Sequence, residues 1–208
     1  MNPLNHSPNV KSVLAFSNLL RIIPFLLCTI LTLYTHANAW GADRVRESCD
    51  SNWRFIAQDT EGAEKAGFDD SQWRLLDVPH DWSIEGDYAK DNPTGDKCGY
   101  LPTGIGWYRK TITVAPQWKG KYVEIAFDGV FMNSEVWANG QKLGKRPYGW
   151  ISFAYDITDH VANSDSITIA VRVDNKKQPS ARWYTGSGIY AHTWISACLL
   201  YTSPSPRD

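Results

Sequence analysis

Apolar and polar residues alternate with a period of two in a series of short segments that begins at residue 52. Such alternation is typical of strands that bury one face, whereas the 3.6-residue period of amphipathic helices is almost absent. A succession of strands joined by turns predicts an antiparallel sandwich. We therefore predict an all-β fold, a jelly-roll β-sandwich of two sheets. The predicted strands lie within residues 52–57, 68–78, 106–114, 121–127, 134–144, 151–157 and 166–174.

The clearest local signal is the Asn139-Gly140 pair inside the segment 134–144. A type I′ turn needs positive φ at both central residues, which Asn and Gly tolerate. A two-residue loop at this point places Val136 opposite Leu143, so that the hairpin has an apolar side to bury. The sequence therefore predicts a tight β-hairpin with this register.

The first part of the chain has the features of a signal peptide. Lys11 and Arg21 precede an apolar run over residues 22–34, and Ala37 and Ala39 then occupy the small-residue positions of a cleavage site. The run is shorter than the ~20 residues that a membrane-spanning helix needs, although a non-cleaved anchor is the alternative. We predict that residues 1–39 are removed, that the protein is exported, and that no membrane attachment remains.

Residues 40–195 are predicted to form one domain. This length supports a single core and not two domains, one of them a catalytic barrel. Residues 86–104 form a long Gly/Pro/Asp loop, and loops of this length are usually functional or disordered. After residue 195 the alternation stops, and we interpret residues 196–208 as a non-native tail. Cys49 and Cys98 form either a disulfide or two separate thiols, because their spacing favours neither.

The charge balance argues against a nucleic-acid partner. The chain has 21 Lys and Arg against 22 Asp and Glu, a formal net charge of -1, so no basic stripe surrounds it. Ten Trp and ten Tyr are more than a core of this size requires. Part of this ring surface is therefore predicted to stack on a planar or ring-shaped ligand.

No catalytic, metal or cofactor site is predicted from the residues. A glycosidase needs two facing carboxylates, but the acidic residues fall in turns or on solvent-facing strand positions: Asp69, Asp70, Glu85, Asp87, Asp91, Asp128 and Glu135. Asp81 follows a predicted strand end, where bonds to nearby backbone amides explain it. The His and Cys spacings fit no metal site, and no nucleophile elbow or phosphate-binding loop occurs.

Six pieces of the chain between residues 45 and 195 form an ordered set of motifs: "FDDSQWRLLDVPHDWSIEGDY", "NPTG", "GYLPTGIGWYRKTITV", "FDGVFMNSEVWANGQKLGKRPYGWISFAYDIT", "VRVDN" and "RWYTGSGIY". In this order they resemble the amino-terminal sugar-binding domain of glycoside hydrolase family 2. The resemblance is greatest to β-galactosidases of Bacteroidetes-type gut bacteria, which implies export to the periplasm or outside of a Gram-negative cell.

This resemblance implies a jelly roll followed by an immunoglobulin-like sandwich and a TIM barrel that carries two catalytic glutamates. Such a barrel takes about 250 residues, and the Asn-Glu dipeptide of the family's acid/base does not occur in this sequence. The end of the chain also resembles translated sequencing-adapter sequence. We therefore expect the front part of a larger enzyme, inactive by itself, whose partners are β-galactoside sugars and the missing C-terminal domains.

The resemblance also implies the sugar-contacting residues. The loops that carry "NPTG" and "RWYTGSGIY" help to form a galactose subsite in the family. By this match Asn92 hydrogen-bonds sugar hydroxyls, and Ser180 occupies a contact position that is commonly Asp or Asn, with a shorter reach. The run Arg182, Trp183 and Tyr184 positions the loop or forms a wall of the subsite.

A structural interpretation of the same residues stays open. Trp183 and Tyr190 can instead be core residues, with Gly186 and Gly188 present because the turn needs positive φ. The stretch "RPYGW", residues 146–150, is interpreted as a packing corner between the sheets.

Three functions fit these observations. The first is a non-catalytic domain of an exported β-galactosidase. The second is a stand-alone carbohydrate-binding module with exposed aromatic residues. The third is the same domain from a β-glucuronidase or β-mannosidase.

Overall fold

A computed structural model describes residues 44–199 of the protein. The predicted signal peptide, residues 1–39, and the end of the predicted tail lie outside the described residues. Ten strands are present in the described part: β1 (Arg44–Ser48), β2 (Trp53–Ile56), β3 (Arg74–Leu76), β4 (Ile105–Thr113), β5 (Tyr122–Phe127), β6 (Ser134–Ala138), β7 (Gln141–Arg146), β8 (Phe153–Asp156), β9 (Ser166–Asp174) and β10 (Thr193–Cys198). One short α-helix, α1 (Thr158–Ala162), and three short 3₁₀ helices (Trp82–Glu85, Asp96–Cys98 and Pro116–Trp118) accompany them.

The strands form two antiparallel sheets. The four-stranded sheet has the order β1-β10-β5-β8, and the six-stranded sheet has the order β3-β2-β4-β9-β6-β7. The prediction of an all-β sandwich with two antiparallel sheets is thereby confirmed. No helix within residues 44–199 combines the length and hydropathy that crossing a bilayer would require.

The core lies between the sheets and follows the alternation of the sequence. On β5, Val123, Ile125 and Phe127 are all fully buried, while the residues between them are half-buried. On β9, Ile167 and Ile169 face the same core. On β5 every second side chain is buried because successive side chains of a strand point to opposite faces of the sheet.

The hairpin of β6 and β7 has the predicted turn but not the predicted register. Asn139 and Gly140 have φ values of 49° and 83°, as a type I′ turn requires. The prediction that Val136 lies opposite Leu143 is wrong, because Val136 pairs with Gly144. A β-bulge leaves Leu143 without a partner in the ladder and lets it pack against the core.

Two stretches of strand were not predicted from the sequence patterns. β1 is mostly exposed and has no apolar alternation, so nothing in the sequence indicated it. β10 continues to Cys198, beyond the predicted domain end at residue 195, because it pairs with both β1 and β5. Tertiary pairing therefore extends the strand where the local pattern had stopped.

The outer face of the six-stranded sheet is covered by the segment 57–73. Arg109 on β4 is buried beneath this segment, with only 2% of its surface exposed. Its guanidinium group donates to Asp70 Oδ2 at 2.8 Å and to several backbone carbonyls of the segment, among them Lys65 O at 3.0 Å. A single cation thus ties the covering segment to the sheet.

Candidate functional site

Two loops meet and form the candidate site. The 86–104 loop precedes β4, and the 175–192 loop connects β9 to β10. Asn175 N donates to Gly104 O at 2.8 Å, and the Cys98 thiol donates to Trp183 O at 3.3 Å. These bonds fix the loops against each other, so the family motifs on both loops come together.

Asn175 is the buried centre of this contact, with 3% of its surface exposed. Its Nδ2 donates to Gly186 O at 3.0 Å and to Ser187 Oγ at 2.8 Å. Its Oδ1 accepts from Gln178 Nε2 at 2.6 Å, and its backbone oxygen accepts from the Thr103 hydroxyl. Buried polar groups stabilise a fold when they are fully hydrogen-bonded. This side chain therefore joins the start of the 175–192 loop to Gly186 and Ser187 further along it.

Asp81 ties the 175–192 loop to the segment that precedes the 86–104 loop. Its Oδ1 accepts from Ser83 N at 3.0 Å and from Ser187 N at 2.8 Å. Its Oδ2 accepts from the Tyr184 hydroxyl. The expectation that Asp81 bonds to backbone amides is confirmed, and the carboxylate reaches a residue more than a hundred positions away as well.

Asn92 has a structural role within the 86–104 loop. Its Nδ2 donates to Asp87 O at 3.0 Å and to Tyr100 O at 2.7 Å. Both amide hydrogens are therefore used inside the loop, and Oδ1 is the atom left for a ligand. The contact of Asn92 with sugar hydroxyls stays a prediction.

The other predicted site residues lie at the surface of the 175–192 loop. Trp183 is 64% exposed and Tyr184 is 40% exposed. Ser180 is also exposed; its backbone N–H and its hydroxyl both bond to Gln178 Oε1, and it lines a cavity of about 350 Å³ with Asn133 and Lys177. Arg182 is exposed and forms no ion pair with another residue of the described part.

The alternative of core residues is wrong for Trp183, since its ring lies mostly in solvent. Tyr190 is half-buried; its hydroxyl donates to Gly149 O at 2.7 Å, and its ring packs against Trp150. The interpretation of "RPYGW" as a packing corner holds for Trp150, which is 48% exposed but packs against Phe131 and Tyr190, and not for Tyr148, which is 58% exposed. The positive φ expected of the loop glycines is confirmed, with 76° at Gly186 and 122° at Gly188.

His80 lies beneath the candidate site, in contact with the core. Its Nδ1 lies 2.7 Å from the Tyr108 hydroxyl, and its Nε2 lies 2.7 Å from the Arg74 guanidinium. Burial lowers the pKa of His80, and the raising effect of the Glu85 carboxylate does not compensate. Because Arg74 donates to Nε2, we infer the neutral Nδ1–H tautomer, which donates to Tyr108.

This histidine makes stability depend on pH. The pKa of His80 in the folded protein lies below its ordinary value of 6.5, so the unfolded chain takes up a proton first as the pH falls. We expect the contribution of His80 to the free energy of unfolding to be fully present above pH 6.5. The free energy of unfolding is expected to decrease as the pH is lowered from 7 toward 5. Urea unfolding at a series of pH values measures this slope.

The matched variants for this measurement are His80→Gln and His160→Gln. His80→Gln is expected to flatten the slope between pH 7 and 5, because the titrating group is gone. His160 lies outside the hydrogen-bond network of His80, Tyr108 and Arg74, so His160→Gln is expected to keep the slope of the unsubstituted protein. An unchanged slope in His80→Gln would assign the pH dependence to other groups.

Three of the carboxylates considered in the sequence are paired with cations in the structure. Partial burial is the largest single effect on Glu85 and raises its pKa, but the neighbouring Arg74 and His80 together outweigh it and leave the pKa below its ordinary value. Asp70 is bound to the Arg109 guanidinium group. Partial burial raises the pKa of Glu135, but hydrogen bonds from Lys142 and Lys145 and their charges together lower it. A general acid needs the opposite, a raised carboxyl pKa. Residues 44–199 also contain no cluster of three or more potential metal ligands.

Cys49 and Cys98 are both buried and unbridged. The alternative of two separate thiols is therefore the one observed. Burial raises the pKa of Cys49 to about 11, so this thiol is protonated at neutral pH. Cys98 has the structural role described above, between the two loops.

Comparison with known proteins decides the family. Residues 47–198 match the family described as glycosyl hydrolases family 2, sugar binding domain. The chain belongs to this family. The resemblance inferred from the six sequence motifs is confirmed.

Named relatives and solved structures agree with this assignment. β-Galactosidase BoGH2A of Bacteroides ovatus is 52% identical over 74% of this chain and 18% of its own length. A putative β-glucuronidase of Formosa agariphila is 48% identical over 80% of this chain and 16% of its own. The crystal structure of a β-glycosidase from Bacteroides vulgatus superposes with a TM-score of 0.70 at 48% identity, covering 73% of this chain and 20% of that one. The chain thus spans about a fifth of the length of the relatives it matches.

Sequence reasoning missed the residues that hold the site together. Asn175 ends the quoted motif "VRVDN", yet its position alone did not show that its side chain bonds to residues of the following loop. His80 and Cys98 were considered only as possible metal or disulfide residues. Gly104 lies in the quoted motif "GYLPTGIGWYRKTITV" and Gln178 in no quoted motif, and neither had a predicted role, because their roles arise from contacts between loops.

Proposed function

We propose that this domain supplies one side of the galactoside-binding pocket of an exported β-galactosidase and carries no catalytic group itself. The observation that carries the proposal is the exposure of Trp183 beside a firmly bonded loop. An indole that is 64% exposed on such a loop contributes nothing to the core of this domain. It offers a flat apolar surface on which a sugar ring can stack.

The neighbourhood of Trp183 has the composition of a saccharide site. Tyr184 is 40% exposed and Tyr88 is 75% exposed, and both lie on the loops of the candidate site. Asn92 Oδ1 and the Ser180 hydroxyl add hydrogen-bonding groups for sugar hydroxyls. The Asp81 and Asn175 bonds hold the loop before any ligand arrives, which reduces the entropy lost on binding.

A chimeric enzyme tests the proposal. Residues 44–199 replace the matching segment of the B. ovatus β-galactosidase, and hydrolysis of a nitrophenyl β-galactoside is measured. Trp183→Ala is expected to lower kcat/KM about tenfold, which corresponds to about 1.4 kcal/mol of lost stacking. Tyr148→Ala removes an equally exposed ring outside the candidate site and is expected to change kcat/KM less than twofold.

Two results would contradict the proposal. One is equal activity of the Trp183→Ala and Tyr148→Ala chimeras, which would remove the indole from the substrate pocket. The other is hydrolysis of the galactoside by the 208-residue chain alone, which would require a catalytic pair within it. Binding of galactose by the chain alone at micromolar concentration would favour the stand-alone binding module instead.

A β-glucuronide is the second candidate substrate, and Arg182 favours it. Its guanidinium group is exposed, without an ion-pair partner among residues 44–199, and a planar cation of this kind suits the carboxylate of a uronic acid. Relatives that carry the β-glucuronidase name include the F. agariphila protein above. Assay of the enzyme from the complete locus decides: turnover of nitrophenyl glucuronide without turnover of the galactoside would select this candidate.

We also propose export and a jelly-roll connection of the strands. The basic residues, the apolar run and the small-residue positions before Trp40 support export, with residues 1–39 removed. N-terminal sequencing of secreted protein is expected to begin at Trp40, and an intact leader would contradict cleavage. The two antiparallel sheets and their order support the jelly roll.

A further inference from the structure

A second cleft is lined in part by Gly86, Pro102 and Thr103, at the two ends of the 86–104 loop. It has a volume of about 610 Å³ and is formed where β2 ends, β4 begins and the turn Trp82–Glu85 passes. Neither Asn92, nor Ser180, nor any residue of the Arg182–Tyr184 run lines it. The volume lies within the range of about 300–1,000 Å³ that is usual for pockets of small ligands.

The apolar part of the cleft consists of rings and aliphatic groups that are held in place by the core. Phe55 and Trp82 stack with 5.6 Å between ring centroids, and Trp73 packs against Phe68 at 5.5 Å. Because each ring has a fixed neighbour, the apolar surface is formed before a ligand binds. The apolar side chains of the lining are those of Phe55, Ile56, Ala57, Trp73, Trp82, Pro102 and Ile105.

The polar part of the cleft contains one ion pair and carries no net charge. Arg74 donates to both carboxylate oxygens of Glu85 at 2.8 Å, so the two charges compensate each other. His80 accepts from the same guanidinium group on the protein side and fixes its position. Gln72, which is exposed, and Thr103 complete the polar lining. The cleft therefore presents fixed donors and acceptors without a net charge.

We infer that this cleft binds an uncharged polyhydroxylated ligand, a single sugar ring of a glycan. The C–H face of a sugar ring packs on aromatic and aliphatic groups, while its hydroxyls both donate and accept hydrogen bonds. A carboxylate on the ligand would be repelled by Glu85, and an ammonium group would be repelled by Arg74. A charged ligand would therefore have to disrupt the Arg74–Glu85 ion pair in order to bind. The cleft shares the ends of the 86–104 loop, Thr103 among them, with the candidate site. None of the residues proposed to contact the galactoside lines it, so this inference does not depend on the proposed function.

Fluorine NMR of the 208-residue chain labelled with 5-fluorotryptophan tests the inference. The variants Trp73→Phe and Trp82→Phe assign the two resonances of the cleft. Galactose, glucose and lactose are the neutral probes, and glucuronate and glucosamine are the charged ones. We expect at least one neutral probe to shift both resonances at millimolar concentration and the charged probes to bind at least tenfold more weakly.

Variants at the rim of the cleft separate this site from the candidate site. Gln72→Trp is expected to fill the cleft and to weaken sugar binding, measured by the Trp73 and Trp82 resonances, at least tenfold. Gln141→Trp, on an exposed strand position elsewhere, is expected to leave this binding unchanged. Trp183→Ala is expected to leave it unchanged as well, even if the proposed function fails. Should Gln72→Trp not fold, Gln72→Ala is expected to weaken binding without filling the cleft.

Several outcomes would overturn the inference. They are no shift of the two resonances by any neutral probe, equal binding of the charged probes, and undiminished binding in a folded Gln72 variant. Shifts that follow the protein concentration instead of the sugar concentration would assign the cleft to contact between copies of the chain, and this too would overturn it.

Discussion

Replacing Arg109 with alanine is expected to lower the free energy of unfolding by about 3–5 kcal/mol. The guanidinium group is 2% exposed and donates to Asp70 and to backbone carbonyls of the segment 57–73. Alanine would leave the carboxylate without its partner and the buried carbonyls without donors, and each unsatisfied group costs about 1–3 kcal/mol. Urea unfolding followed by tryptophan fluorescence measures the change.

Two further variants make this prediction specific. Arg109→Lys keeps the charge but loses the planar array of donors. Its free energy of unfolding is therefore expected to lie between those of the unsubstituted protein and the alanine variant. Arg182→Ala removes an exposed arginine without an ion pair in the described part, and a change within about 0.5 kcal/mol is expected. A loss below about 1 kcal/mol for Arg109→Ala would show that the covering segment does not depend on this residue.

Gly188→Ala is expected to destabilise the protein by about 2–5 kcal/mol and to disturb the candidate site. Gly188 has a φ of 122°, which side-chain-bearing residues rarely adopt. A Cβ at this position would lie 2.8 Å from His80 O and 3.2 Å from the Trp82 ring. Strain contributes about 1–3 kcal/mol and overpacking about 1–2 kcal/mol, within its usual range. Because Gly188 also exchanges two 2.9 Å backbone hydrogen bonds with Phe131, its displacement would move the 175–192 loop.

Gly67→Ala is the matched control for this substitution. Its φ is not positive and no atom lies within 4 Å of an added Cβ, so its stability is expected to be unchanged or raised by up to about 1 kcal/mol. Both variants are compared by urea unfolding and by the catalytic assay of the chimera. If Gly188→Ala were as stable as Gly67→Ala, the close approach of the loop to His80 would be refuted.

The strands could be predicted because alternation is a local property. On β5 and β9 every second residue is apolar, and these are the residues that the sandwich buries. The Asn139-Gly140 turn was predictable for the same reason, since its φ values depend on two adjacent residues. The register was not, because a bulge at Val136 adjusts the strand to side chains from elsewhere in the fold.

The candidate site was predictable only in its outline. Ordered motifs indicated the two loops and the residues Asn92 and Ser180 to Tyr184, but not which atoms are free for a ligand. Both Asn92 amide hydrogens turned out to be bound inside their own loop. Trp183, for which a core position was an alternative, is exposed. Such outcomes depend on neighbours that lie far away in the chain.

The amino-acid sequence by itself determined the all-β class, the positions of most strands, the tight hairpin turn and the family, since each follows from local periodicity or from the order of motifs. Only the tertiary structure decided the edge strand β1, the bulged register, the state of the cysteines and the buried hydrogen bonds that join the two loops. The bond from Ser187 to Asp81 spans 106 residues of sequence. Contacts over such distances exist only after the sheets have packed, because packing the sheets is what brings the loops together.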